Sequence, residues 1–168
     1  MTPEELLQRY AAGERGFRGI TLTQPTQGRP NLSGVNLSGA DLSESMLQRV
    51  DFSSANLSSV KLSQAKLPNC ILNRANLRDA LLRGAMLDQS SLHGADLEGA
   101  DLKDASIAEC DLSESNLERA DFRDANLTKA SLLNTNVRNT NFTGAILNDL
   151  HPRNIKLRGA IGAEQTWT

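Results

Sequence analysis

Large apolar side chains recur at every fifth position along most of this 168-residue chain. From Leu32 to Leu147 each such position holds Leu, Ile, Val or Phe, without an interruption. Two residues before each large residue stands a second, smaller one, most often Ala, and Asn or Asp commonly stands between the two. The two positions that follow are almost all polar or Gly. The chain is therefore one five-residue unit repeated many times, which predicts a repeat architecture.

A period of five residues fits neither of the regular secondary structures. On an α-helix, five residues advance by about 500°, so successive large residues would drift around the cylinder. On a flat strand, side chains alternate with period two, so an odd step would send every second large residue to the opposite face. All of them stay inside only if the chain turns a corner every five residues. The period therefore predicts a β-solenoid whose successive coils pair about 4.8 Å apart, with Asn and Asp at the bends because they tolerate unusual φ angles and bond to their own backbone.

The unit (Ala)-(Asn/Asp)-(Leu/Phe)-x-x resembles the pentapeptide-repeat family. Segments such as HGADLEGADLKDA and RADFRDANLTKA match the unit as they stand, and uninterrupted repeats cover residues 30–149. The resemblance implies an all-β fold, a right-handed quadrilateral β-helix with four pentapeptides in each coil. The repeats then form about six regular coils, with additional pieces at both ends.

The N-terminal segment, residues 1–14, departs from the repeat and is expected to cap the solenoid. Residues 2–12 predict a short amphipathic α-helix, with Thr2 as N-cap, Pro3 in the first turn and Gly13 as terminator. The helix would cover the first coil, which otherwise exposes apolar surface and a sheet edge. A helix that binds a partner is the alternative.

The solenoid itself is assigned to residues 15–160. Phe17 and Leu22 already lie in the five-residue register, and residues 23–30 (TQPTQGRP) predict a turn or a small loop. The register resumes unshifted at Leu32, and Pro152 interrupts it near the other end.

Residues 161–168 predict a C-terminal cap or tail, in which Ile161 or Trp167 closes the last coil. Trp167 is alternatively an anchor for a dimer. A monomer and a weak homodimer formed through an end of the solenoid therefore both stay open.

Composition narrows the classes of partner. A net charge of −2 argues against direct binding of nucleic acid. No stretch approaches the roughly 18 apolar residues of a membrane span, and the N-terminus lacks the basic and apolar regions of a signal peptide. We therefore expect a cytoplasmic protein that binds neither nucleic acid nor membrane.

The sequence offers no catalytic, cofactor-binding or metal-ligating residues. Cys70 and Cys110 both occupy inner small positions two coils apart, beyond the reach of a disulfide, so we expect them to be buried small hydrophobes. His93 and His151 lie near outward positions, with no Ser, Cys or carboxylate at catalytic spacing. We therefore expect no enzyme, no cofactor and no metal.

Acidic residues concentrate between positions 96 and 124, where they form a candidate interaction face. Its members are Asp96, Glu98, Asp101, Asp104, Asp121 and Asp124. Lys103 and Arg123 stand among the last four, so a self-neutralised, solvated surface is the simpler interpretation. A further outward column of Asn and Asp, from Asn36 to Asn136, predicts a hydrogen-bonded ladder.

These features favour a non-enzymatic scaffold or protein-interaction module, which displays rigid side-chain columns to an unknown protein partner. The alternative comes from the resemblance, because some pentapeptide-repeat proteins inhibit DNA gyrase by imitating duplex DNA. A rod of regular negative charge can occupy a site built for phosphates. A DNA-mimicking inhibitor or protector of a type II topoisomerase is therefore the second hypothesis.

Overall fold

The computed structural model describes residues 1–23, 28–150 and 159–162. In these ranges the chain forms a right-handed, four-sided β-helix. Parallel bridges join residues one coil apart, from Asn31–Asp51 to Asn126–Ile146, so each regular coil takes four pentapeptides. The fold implied by the repeat is confirmed.

The core is a column of large side chains along the axis of the rod. Every large residue from Leu32 to Leu147 is at most 3% exposed, and the rings of Phe122 and Phe142 stack with their centroids 5.4 Å apart. Backbone hydrogen bonds hold each coil to the next; for example, the Leu77 N–H donates to the carbonyl of Asp96 at 2.7 Å. The inside-outside pattern predicted from the period is therefore confirmed.

Each corner is a tight turn that starts at a large residue. In a representative corner, the Ala80 N–H donates to the Leu77 carbonyl at 3.1 Å and Asp79 has a φ of 56°. Positive φ at the third residue alone is the geometry of a type II turn. The unusual φ was expected at the Asn or Asp before the large residue, and that prediction is wrong. Asn76 instead stabilises the turn with its side chain, because Oδ1 accepts the Arg78 N–H at 3.1 Å.

The rod has four faces, which we name by the outward residue that precedes each large one. The Asp face carries Asp41, Lys61, Leu81, Asp101, Asp121 and Asn141. The Met face follows it along the chain and carries Met46, Lys66, Met86, Ser106, Asn126 and Ile146. The Ser face comes next, with Asn31, Asp51, Ile71, Ser91, Asp111 and Ser131. The Asn face completes the coil, with Asn36, Asn56, Asn76, Asp96, Asn116 and Asn136.

A single helix, α1 (Pro3–Ala11), precedes the coils in the described part of the chain. Thr2 and Glu5 form a capping box at its start, which satisfies two free backbone donors. Leu6 is fully buried in the core, and the Tyr10 hydroxyl donates to the Ser38 carbonyl at 2.9 Å. The expected capping helix is confirmed, with bounds one residue shorter at each end than the pattern predicted.

The first coil is five residues longer than the others. Thr21 bridges to Met46, twenty-five positions away, whereas Asn31 bridges to Asp51, twenty positions away. One additional pentapeptide is therefore inserted between Thr21 and Asn31. This insertion explains why the register resumes unshifted after the predicted loop 23–30, of which residues 24–27 lie outside the described residues.

At the C-terminal end, Ile161 extends the Asp face by bridging to Asn141. Its side chain is 53% exposed, so the prediction that Ile161 closes the last coil is wrong. It occupies an outward position of the five-residue register, and its side chain therefore points away from the axis; the next position, where a repeat has its large residue, holds Gly162. His151, Pro152 and Trp167, with the predictions made for them, lie outside the described residues.

Candidate interaction surfaces

The Asn face carries the predicted side-chain ladder. The amide of Asn116 donates to Asp96 Oδ1 at 3.0 Å, and that of Asn136 donates to Asn116 Oδ1 at 2.8 Å. A longer bond of 3.4 Å links Asn76 to Asn56. The Oδ1 atoms also accept backbone N–H groups two residues on. The ladder is confirmed at three of its five steps, the exceptions being Asn36–Asn56 and Asn76–Asp96, and its oxygens are already engaged by the fold.

Two of the candidate acids, Asp96 and Glu98, lie on the Asn face and at its corner. Glu98 is held between Arg78 of the preceding coil and Arg119 of the following one, and its side chain is only 15% exposed. Arg78 also reaches Asp96, with Nη1 3.2 Å from Oδ2. Because both carboxylates have guanidinium partners, they present little free negative charge.

Asp101 and Asp121 lie one coil apart on the Asp face and share one cation. The Lys103 ammonium is 3.3 Å from Asp101 Oδ2 and 3.2 Å from Asp121 Oδ2. Arg123 adds a bidentate contact to Asp121 at 2.9–3.1 Å. Partial burial raises the pKa of Asp121, but hydrogen bonds from Arg123 and Lys103 outweigh it and hold the pKa below its usual range. Asp121 is therefore a structural carboxylate that stays ionised at neutral pH.

The last two candidate acids occupy the corner between the Asp and Met faces. Asp104 Oδ2 lies 3.3 Å from Arg83 Nε, in a pair whose side chains are more than half exposed. The carboxylate of Asp124 lies over Gly144, in the space that a side chain at position 144 would need. Within the described ranges, Asp124 alone of the six candidates makes no ion pair.

The six candidate acids therefore span two consecutive faces and the corner that follows each. Sequence reasoning named Lys103 and Arg123 as counter-charges but missed Arg78 and Arg83, which belong to the preceding coil. The signal was available, since the length of one coil places Arg78 directly beside Glu98 in one column. Charge counted along the chain hides this pairing, because the partners are distant in sequence.

The edge between the Asp and Met faces changes character nearer the N-terminus. Bridges stack Lys61 on Leu81 and Lys66 on Met86, and all four side chains are exposed. Neither lysine side chain makes a hydrogen bond or ion pair with any residue that the structure describes. We call these four residues the basic-apolar edge.

Both cysteines are buried free thiols, as expected. Burial raises the pKa of Cys70 and of Cys110 to about 12, so both stay protonated. Each donates to a backbone carbonyl, that of Leu47 at 3.0 Å or that of Leu87 at 2.9 Å. A buried protonated thiol is a poor nucleophile and a poor metal ligand.

His93 has a Ser and a carboxylate of the following coil beside it, so the expectation that neither accompanies it is wrong in space. Its Nδ1 lies 2.9 Å from Ser113 Oγ and its Nε2 3.8 Å from Glu114 Oε2. The hydroxyl of Ser113 already donates to Asp111 Oδ1 at 2.5 Å, and the group lies on the surface of the rod, so the contact does not resemble a catalytic pair.

In the described ranges, no three His, Cys, Asp or Glu side chains are placed to hold a metal ion, and no helix is long and apolar enough to cross a membrane. A groove of about 260 Å³ beside the start of α1 is lined by Glu4 and Arg29 among others, without a pair of acid-base groups.

Comparison with known proteins agrees with the architecture. The model described as "Pentapeptide repeats (8 copies)" matches residues 31–74, 70–104 and 105–144. No curated protein sequence matches the chain. The crystal structure of the pentapeptide repeat protein Rfr23 from the cyanobacterium Cyanothece 51142 is 23% identical, with a TM-score of 0.52 over 79% of this chain and 97% of that one.

A second crystal structure, of a pentapeptide repeat protein from the Arabidopsis thaliana thylakoid lumen, is 28% identical with a TM-score of 0.52. The similarity covers 86% of this chain and 90% of that one. With a family model that matches well over half of the sequence and coils of four pentapeptides in the structure, this chain belongs to the pentapeptide-repeat family.

Proposed function

We propose that this protein is a non-enzymatic scaffold, a module that presents rigid side-chain columns to a protein partner. The observation that carries the proposal is the continuous ladder of inter-coil hydrogen bonds donated by the large residues from Leu32 to Leu127. These bonds fix outward side chains at intervals of about 4.8 Å. A surface fixed before binding loses little conformational entropy in a complex, which favours specific association.

The chemistry of the described residues supports a binding role over catalysis. The carboxylates with the most contacts, such as Glu98 and Asp121, are already neutralised by Lys and Arg. Cys70 and Cys110 are buried and protonated. Catalysis by acid-base or nucleophilic groups needs such groups to converge in a cleft, and a rod with flat faces does not favour that arrangement.

A pull-down from native lysate with the immobilised protein tests the scaffold. We expect a protein that binds saturably and competes with free, untagged rod. Charge reversal of the Asp-face acids, Asp101, Asp104, Asp121 and Asp124, to Lys tests whether that face is the contact. The matched control reverses Glu109 and Asp149 at another corner. Failure to retain any saturable partner would argue against the scaffold, and a partner indifferent to the first variant would exclude the acidic face.

The DNA-mimicking alternative stays a prediction with a separate test. Pairing of five of the six candidate acids with Lys or Arg lowers the free charge that could replace phosphates. A gyrase supercoiling assay, with and without a quinolone, measures both inhibition and protection. Unchanged supercoiling at tens of micromolar protein would remove this alternative.

Dimerisation through an end of the solenoid and a cytoplasmic location are also predictions. Light scattering coupled to gel filtration distinguishes a monomer from a weak dimer through the concentration dependence of the mass. Fractionation of the source cells tests the location.

A further inference from the structure

The basic-apolar edge is a compact block of four exposed side chains on two consecutive coils. Lys61 and Leu81 share one column, and Lys66 and Met86 share the next. Leu81 and Met86 are each 43% exposed and bracket one corner, where the side chain of Gln64 from the preceding coil lies over Gly84. The block therefore places two apolar side chains directly beside two cations.

This block lacks a bond that stabilises more than half of the corners. At fourteen of the twenty-four outward positions from Asn31 to Ile146, an Asn or Asp accepts the N–H two positions on, as Asp51 does from Ser53 at 2.9 Å. Lys, Leu and Met cannot supply a comparable acceptor. Other outward positions without an Asn or Asp lack this bond too, among them Met46 and Ile71. What sets the block apart is that two exposed cations stand beside two exposed large apolar side chains, and proteins break local rules at functional sites.

The two lysines have the charge that a partner could use. Lys103, on the same rod, is held between two carboxylates, whereas the side chains of Lys61 and Lys66 make no hydrogen bond or ion pair within the described ranges. Lys61 does interact electrostatically with Asp41, and this interaction contributes to lowering the pKa of that carboxyl. Their ammonium groups are therefore available to carboxylates of another molecule.

We propose that the basic-apolar edge is a docking surface for an acidic amphipathic segment of a partner protein. Carboxylates of the segment pair with Lys61 and Lys66, and its apolar side chains cover Leu81 and Met86. Successive coils are about 4.8 Å apart, close to the roughly 5–6 Å between side chains at i and i+4 of a helix. A helix lying along the rod thus places an acidic and an apolar residue over consecutive coils. The inference rests on the proposed scaffold function and names its contact.

A protein segment fits this surface better than an anionic membrane does. Farther along the same edge lie Asp101, Asp104, Asp121 and Asp124. A flat anionic bilayer that contacted the lysines would also meet these four carboxylates, which outnumber the three cations paired with them, Arg83, Lys103 and Arg123, and leave a net negative charge that opposes it. A short segment covers two coils only and avoids them.

Selection of peptides on the immobilised rod tests the proposal without knowledge of the natural partner. The probe is a random peptide display library, selected on the full chain and counter-selected on a Lys61→Glu, Lys66→Glu variant. Individual peptides are then measured against four rods: the wild type, the Lys61→Glu, Lys66→Glu variant, a Leu81→Asn, Met86→Asn variant, and a Lys129→Glu control. Lys129 is an exposed cation on another corner without an ion pair in the described ranges, so its reversal changes charge alone. Circular dichroism melts verify that each variant is folded.

We expect selected peptides to combine acidic with aliphatic or aromatic residues. Their affinity should fall at least about tenfold on either edge variant, since one variant removes the charge pairs and the other the apolar contact, and should be unchanged on the control. Peptides without acidic residues, or with equal affinity for all rods, would overturn the proposal. Edge-dependent binding to phosphatidylserine vesicles in place of peptides would overturn it by assigning the edge to lipid. A lysate partner indifferent to the edge variants would overturn it while leaving the scaffold function intact.

Discussion

The acidic stretch 96–124 and the basic-apolar edge have the same backbone geometry, but their outward side chains have opposite roles. In the acidic stretch, an outward residue such as Asp121 accepts the backbone N–H of Arg123 at 3.2 Å and also pairs with Lys103 at 3.2 Å. At the edge, Leu81 and Met86 do neither and are 43% exposed. The comparison teaches that charge density does not mark a free surface on this rod. The better marker of a free surface is an exposed outward side chain that makes neither the corner hydrogen bond nor an ion pair.

The energies involved explain why the distinction is visible. A hydrogen bond that closes a corner contributes about 0.5–1.5 kcal/mol, and an exposed ion pair contributes about 0.2–1 kcal/mol. Repeated on every coil, such terms decide whether a narrow rod with a small core is stable. A residue that makes neither the corner hydrogen bond nor the ion pair therefore lowers the stability of the rod, and function is one reason why such a residue is kept.

The largest expected effect lies beneath both regions, where the core is the same. Leu87→Lys under the edge and Leu102→Lys under the acidic stretch should each cost several kcal/mol, because both leucines are at most 1% exposed and a charge would be buried unpaired. Ser58→Lys, at an outward corner position, is the control and should be nearly neutral. Urea unfolding measures all three. Equal midpoints for Leu87→Lys and Ser58→Lys would contradict the inside-outside assignment.

How much the sequence predicts follows from how each feature is encoded. The buried series from Leu32 to Leu147 was predictable, because period five allows one geometry that keeps every large residue inside. The partners of Glu98 were not read from the chain, because Arg78 and Arg119 reach it from neighbouring coils. The exposure of Ile161 was also missed, because a hydrophobic side chain one position out of register points away from the axis.

A second group of contacts, those of Asp121, separates the acidic stretch from the edge. Asp121→Ala removes the acceptor of the corner and two ion pairs, and should cost about 1–2 kcal/mol. Asp121→Asn keeps an oxygen for the Arg123 N–H, and should recover roughly half of that loss. Urea unfolding of both variants beside wild type gives the two differences. An alanine variant as stable as wild type would mean that these contacts make no net contribution to the free energy of unfolding.

Acid should weaken the contribution of the paired carboxylates to stability and leave the contribution of the basic-apolar edge unchanged. The pKa values of Asp121 and Asp41 are both lowered in the folded protein. For Asp121, burial raises the pKa, but hydrogen bonds from Arg123 and Lys103 outweigh that effect; for Asp41, the hydrogen bond from Ser43 is the main cause. Carboxyls whose folded pKa is depressed contribute stability above their unfolded pKa, about 3.9, and lose it as pH falls through the folded pKa.

The corresponding measurement is the free energy of unfolding between neutral pH and about pH 3. Asp121→Asn should show a shallower decline than wild type, because one of the groups that takes up a proton is gone. Met86→Asn removes no carboxylate and should follow the wild-type slope. Parallel curves for wild type and Asp121→Asn would show that Asp121 is not linked to folding.

The smallest expected change concerns the edge itself. Met86→Asn removes a half-covered apolar side chain but installs the acceptor that the repeat uses elsewhere, here for the N–H of Asp88. The loss of apolar burial and the gain of a corner bond of about 0.5–1.5 kcal/mol nearly cancel, so stability should change by no more than about 0.5 kcal/mol. Met86→Ser, with a weaker acceptor, is the matched control and should be less stable than the Asn variant. If Met86→Asn cost as much as a core truncation, about 2–5 kcal/mol, Met86 would be a structural residue and the edge would lose its distinction from the acidic stretch.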